Sequence, residues 1–131
     1  MLYYIKHYPI SIAIVVVICY LSFFSPPKTE LNEIPNIDKL VHFCMYFGLS
    51  SIIWIEYLRF HPIIRRKRIM AGAILFPILT SGLIEILQEN CTATRSGDWL
   101  DFIANSIGVL AAIPAGYYVY RPIIRKYLNR R

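Results

Sequence analysis

Four apolar runs, each near the length of a bilayer crossing, constrain this chain more than any other feature. They cover about residues 9–24, 40–60, 69–88 and 99–120. A helix rises ~1.5 Å per residue, so ~20 apolar residues cross the ~30 Å hydrocarbon core. Hydrophobic residues make up 56% of 131 residues, and a soluble domain this small has too little interior to hide them. The expectation is an all-α integral membrane four-helix bundle, a single domain over residues 1–131.

The first run is short for a span, and Tyr3, Tyr4 and Tyr8 are expected to extend it into the headgroup zone. The stretch after Leu21 has no small-x-small cleavage pattern, so the run reads as a retained helix ended by Pro26 and Pro27. Pro77 and Pro114 fall inside later runs, where membrane helices tolerate proline better than soluble ones do.

Basic residues set the orientation. Lys6, Arg59, Arg65, Arg66, Lys67 and Arg68, then Arg121, Arg125, Lys126, Arg130 and Arg131, lie at one set of ends. Only Lys28, Lys39 and Arg95 lie at the other. The positive-inside rule puts both termini and the Arg65–Arg68 loop in the cytoplasm, an N-in/C-in topology. Seven acidic residues (Glu30, Glu33, Asp38, Glu85, Glu89, Asp98, Asp101) then gather outside, leaving Glu56 near the cytoplasm.

The net charge is +6, but the basic residues flank apolar runs instead of forming one soluble face, so no nucleic acid is expected. Cys19, Cys44 and Cys91 form no C-x-x-C pair, which excludes the usual zinc and redox motifs. No metal or other cofactor is expected.

Polar residues recur at helical spacing in three places. Asp38, His42 and Tyr46 follow at intervals of four, with Lys39 beside them. Glu85 is followed by Gln88 and Glu89. Asp98, Asp101, Asn105 and Gly108 are spaced three, four and three. Such spacing puts each set on one helix face, and the topology puts all three at the outer leaflet, where a charge needs water, a partner or a ligand. The expected binding residues are Asp38, Lys39, His42, Tyr46, Glu85, Gln88, Arg95, Asp98, Asp101 and Asn105, with His42, Glu85 and Asp101 as candidates for acid–base work.

Three ordered blocks, Asp38-Lys39-x-x-His42-Phe43-x-x-Tyr46-x-x-Leu49, Glu85-x-x-Gln88 and Arg95-x-x-Asp98-x-x-Asp101-x-x-x-Asn105-x-x-Gly108, resemble the VanZ-like family of bacterial membrane proteins over nearly the whole chain. The resemblance implies a multi-pass protein of the bacterial cytoplasmic (inner) membrane. Because the founding member is associated with low-level teicoplanin resistance, it also implies a link to the cell envelope. It carries no reaction with it.

Structural roles compete for the same residues. Asp98 suits a helix N-cap with Asp101 as its capping-box partner, and Asp38 suits the start of the second helix. Lys39, Glu85, Arg95, Asp98 and Asp101 can form an ion-pair network with no ligand. Gly108, Ala112 and Gly116 form a small-x-x-x-small series that permits close helix approach, within the chain or in an oligomer. The basic run at 65–68 determines topology and attracts anionic membrane lipids.

Three functions follow. In the first, the outer-face cluster binds a lipid-linked cell-wall precursor or a lipoglycopeptide, with Lys39 and Arg95 on its anionic groups. In the second, the same pocket is a hydrolase or transferase site with His42 as base, although the chain has no G-x-S-x-G, H-E-x-x-H or Walker loop. In the third, the chain is a small transporter, against which the polar residues stop short of the midplane.

Overall fold

In the computed structural model the described residues are 1–24, 30–93 and 97–130, without the side chains of Leu31 and Asn32. Pro26, Pro27, Lys28, Arg95 and Arg131 therefore lie outside the described residues. Helix α1 runs Leu2–His7 and α2 Pro9–Phe23. After a short turn at Glu30–Glu33, α3 runs Ile37–Phe60, α4 Arg66–Cys91 and α5 Trp99–Leu128. No strand occurs among the described residues. The last three helices are long and apolar enough to cross a membrane. Helix α2 has 15 residues, or ~22 Å at 1.5 Å per residue.

The last three helices overrun the expected apolar runs at four of their six ends, because hydropathy marks the part suited to lipid whereas hydrogen bonding carries the helix into the polar flanks. The first run forms one helix, α2, but its expected extension through Tyr3, Tyr4 and Tyr8 is broken off. Pro9 disfavours helical backbone in the residue before it, and Tyr8 leaves the helix at φ −133°, ψ 43°. The N-terminal tyrosines therefore sit on a separate helix, and the Tyr3 hydroxyl meets His61 Nε2 at 3.1 Å.

Proline explains the irregular stretches as well. The wide π turns at Met70–Leu75 and Gly116–Tyr120 each end two residues before a proline, Pro77 and Pro122. A proline has no N–H for the carbonyl four residues back and its ring crowds that carbonyl, so the turn opens. For Pro77 the stranded carbonyl is that of Ala73, and the Ser50 hydroxyl donates to it at 2.6 Å from the facing α3.

Helices α3 and α5 form the closest pair. A Cβ on Gly108 would collide with the Phe43 carbonyl oxygen and stand 3.0 Å from the Phe47 nitrogen, and one on Gly116 would enter the Trp54 ring. Ala112 between them is fully buried, as are Trp54 and Val109. The small-residue face thus packs inside the chain on α3.

Helix α2 is tied at both ends. Glu56, buried in α3, accepts the Ile10 and Ser11 backbone N–H groups at 2.9 and 3.1 Å and the Ser11 hydroxyl at 2.5 Å. It caps from another helix the orphan N–H groups that every helix start presents. At the other end, the Gln88 amide donates to the Ser22 carbonyl at 2.6 Å.

Candidate functional site

The start of α3, the last turns of α4 and the start of α5 meet at one end of the molecule. Lys39 is at the centre. Its ammonium lies 2.7 Å from Asp38 Oδ2, 2.8 Å from Asp98 Oδ2 and 2.9 Å from Asp101 Oδ1. Helical spacing brings this about: Asp98 caps α5 by accepting the Leu100 N–H at 2.8 Å, and Asp101 follows one turn on. Asp98 lies outside the span, and the Lys39 ammonium, followed by the Leu100 N–H, holds its carboxyl below the usual carboxylate range.

The capping arrangement differs from the expected one. In a capping box Asp101 would reach back to the Asp98 N–H. Here that N–H donates to Glu85 Oε2 at 2.9 Å instead. Glu85, only 3% exposed, therefore secures the entry of the chain into α5, and Asp101 turns to Lys39 and His42.

A chain of polar contacts runs inward from Asp101. His42 Nδ1 lies 3.1 Å from Asn105 Oδ1, an oxygen that only accepts, so Nδ1 carries the donated proton. His42 Nε2 is left facing Asp101 Oδ2 at 3.5 Å, too long for a hydrogen bond but within the looser range of unliganded acid–base sites. The Asn105 amide donates to Ser81 Oγ at 2.7 Å, and the buried Tyr46 hydroxyl meets the same serine.

The expected residues therefore divide. Asp38, Lys39, His42, Glu85, Asp98, Asp101 and Asn105 come together, and Tyr46 joins from below through Ser81. Gln88 does not converge, because its amide is directed to α2. Arg95 lies outside the described residues. Lys39, expected to grip a ligand's anionic group, already faces three carboxylates of its own chain. Ser81 was not anticipated, although its place four residues before Glu85 puts it on the same face of α4.

Three carboxylates around one ammonium leave an excess of acidic groups over cations among the described residues, even with His42 protonated. Such a site favours hydroxyl, amide or amine donors over phosphate. One ligand atom each from His42, Glu85 and Asp101 lies within 4.8 Å of the others, close enough to share an ion. Asp38, Asp98 and Asp101 meet the same limit, but there the Lys39 ammonium already supplies the positive charge.

A sequence model of the VanZ/LLP1 family matches residues 5–124, which includes every residue of this cluster. No curated protein and no solved structure matches the chain.

Proposed function

The chain belongs to the VanZ-like family and is a membrane protein, and from that premise we propose that it engages an amphipathic, lipid-linked ligand of the bacterial envelope through the acidic cluster. Four spans cross the cytoplasmic membrane in this reading, with α2 as the short first one, both termini inside and the cluster at the outer face. The distribution of basic residues supports that orientation. The ligand is a lipid-linked cell-wall precursor or a lipoglycopeptide, which links the protein to teicoplanin resistance. Its lipid part lies along the apolar helices and its polar head offers hydroxyl, amide or amine donors to Asp98, Asp101 and Asn105.

The observation that carries this reading is the convergence of Asp38, Asp98 and Asp101 on the single Lys39, with Glu85 on the Asp98 backbone N–H beside them, at the end of three span-length helices. Scaffolding alone is best served by a balanced ion-pair network, and among the described residues this one carries more carboxylates than cations where charge is costly. Native mass spectrometry of the gently extracted protein beside a Glu85→Gln/Asp101→Asn variant tests it, with thermal unfolding measured on both. A lipid-linked species held by the parent and absent from a still-folded variant is expected. Identical bulk phospholipid on both, or a variant that only unfolds from a parent with no special ligand, would refute it.

A second reading, a hydrolase or transferase acting on a lipid-linked envelope substrate, draws on the convergence of His42, Glu85 and Asp101 within 4.8 Å. It predicts turnover that His42→Gln abolishes while the ligand is retained.

A further inference from the structure

The end of the molecule remote from the cluster holds a separate cavity. Asp38 and Glu56 are 18 positions apart on α3, hence ~27 Å along a helix rising 1.5 Å per residue. Near Glu56 a cavity of about 920 Å³ opens between α1, α2, α3 and α4, at the upper end of the ~300–1,000 Å³ range of ligand clefts. Val15, Ile53, Gly72 and Phe76 give it an apolar floor, while Tyr57 and Arg68 bring polar groups to it.

Charge identifies the occupant. Arg68 lines the cavity and is exposed, and it has no acidic partner among the described residues. Arg65, Arg66 and Lys67 precede it. The nearest acid in sequence, Glu56, is buried and already accepts three hydrogen bonds from the start of α2. The cavity is therefore an apolar slot with an uncompensated guanidinium at its edge.

We propose that this cavity holds one phospholipid of the bilayer with an anionic head group, its acyl chains on the α2–α3–α4 floor and its phosphate on Arg68. Guanidinium–phosphate pairing is strong and directional. Two short-side-chain positions leave room for the chains: Ala71 is exposed, and a Cβ on Gly72 would touch only Ile53 Cγ2, at 4.0 Å. The site is independent of the acidic cluster, and either can fail without the other.

The full chain is reconstituted in phosphatidylcholine vesicles containing a minor share of phosphatidylglycerol, extracted, and examined by native mass spectrometry. The parent should retain one phosphatidylglycerol. Arg68→Gln should lower its occupancy by about tenfold, as expected for a lost charge-assisted contact. Gly72→Leu, which adds a branched side chain where a Cβ would touch only Ile53 Cγ2, should lose it too. Lys126→Gln, an exposed charge at the far end of α5, should keep it. Equal retention of phosphatidylcholine, a filled site in Gly72→Leu, equal loss in Lys126→Gln, or a dimer in place of bound lipid would each overturn the proposal.

Discussion

Replacing Gly108 with alanine tests how tightly the α3–α5 contact controls the cluster. The new Cβ would press on backbone, the Phe43 carbonyl and the Phe47 nitrogen at 3.0 Å, and backbone cannot turn aside as a rotamer does. Restoring ordinary contact separates the helices by about half an ångström or more, since packed interiors have little slack. Gly108 lies one turn from Asn105, and Phe43 is adjacent to His42. The 3.1 Å His42–Asn105 contact would then stretch beyond hydrogen-bond range. Overpacking costs about 1–3 kcal/mol and the lost contact about 1 kcal/mol, against about 1 kcal/mol gained in helix propensity. The net loss is about 1–3 kcal/mol, or roughly 5–10 °C in thermal midpoint for a chain of this size. Gly48→Ala is the control: nothing lies within 4 Å of its Cβ, so it should be neutral or slightly stabilising. Thermal unfolding in one detergent reads both. If Gly108→Ala is as stable as Gly48→Ala, the close α3–α5 approach and its hold on His42 are wrong.

Three further outcomes are expected. Glu56→Ala removes the acceptor for two N–H groups and a hydroxyl at the start of α2, so amide exchange across residues 9–23 should quicken by at least about tenfold; unchanged exchange there would exclude the capping role. Ser50→Ala strands the Ala73 carbonyl freed by Pro77 and should cost about 1 kcal/mol, a loss that Pro77→Ala should largely relieve in the double variant. Asp98 has a lowered pKa because of Lys39, so its contribution is present above the unfolded value of ~3.9 and fades as pH falls through the lower folded value. Thermal stability followed downward from pH 5 should therefore fall below about pH 4, and less steeply in Lys39→Gln.

Much of this arrangement was legible in the sequence because helical periodicity is local. Intervals of three and four put Asp38 with His42, and Asp98 with Asp101 and Asn105, on shared faces, and the structure brings those faces together. What periodicity cannot supply is the partner across a helix pair. Gln88 has the right spacing to join Glu85, yet the Ser22 carbonyl draws it to α2. Asp101 has the right spacing for a capping box, yet Glu85 reaches the Asp98 N–H from another helix. Glu56 read as a stray acid at the basic end, and only the packing of α2 on α3 reveals it as a cap. Glycine is ambiguous in the same way. Gly48, Gly108 and Gly116 all sit within apolar runs, but only the last two face neighbours with no room for a methyl group.

The measurement that bears most directly on the central claim asks which side of the membrane the acidic cluster faces. Cys91 is exposed at the end of α4, two residues after Glu89, and serves as a native reporter once Cys19 and Cys44 are replaced by serine. A membrane-impermeant maleimide applied to intact cells should label Cys91 without permeabilisation, as the proposed orientation requires. Labelling only after the membrane is breached would invert the topology and contradict the engagement of an envelope ligand there.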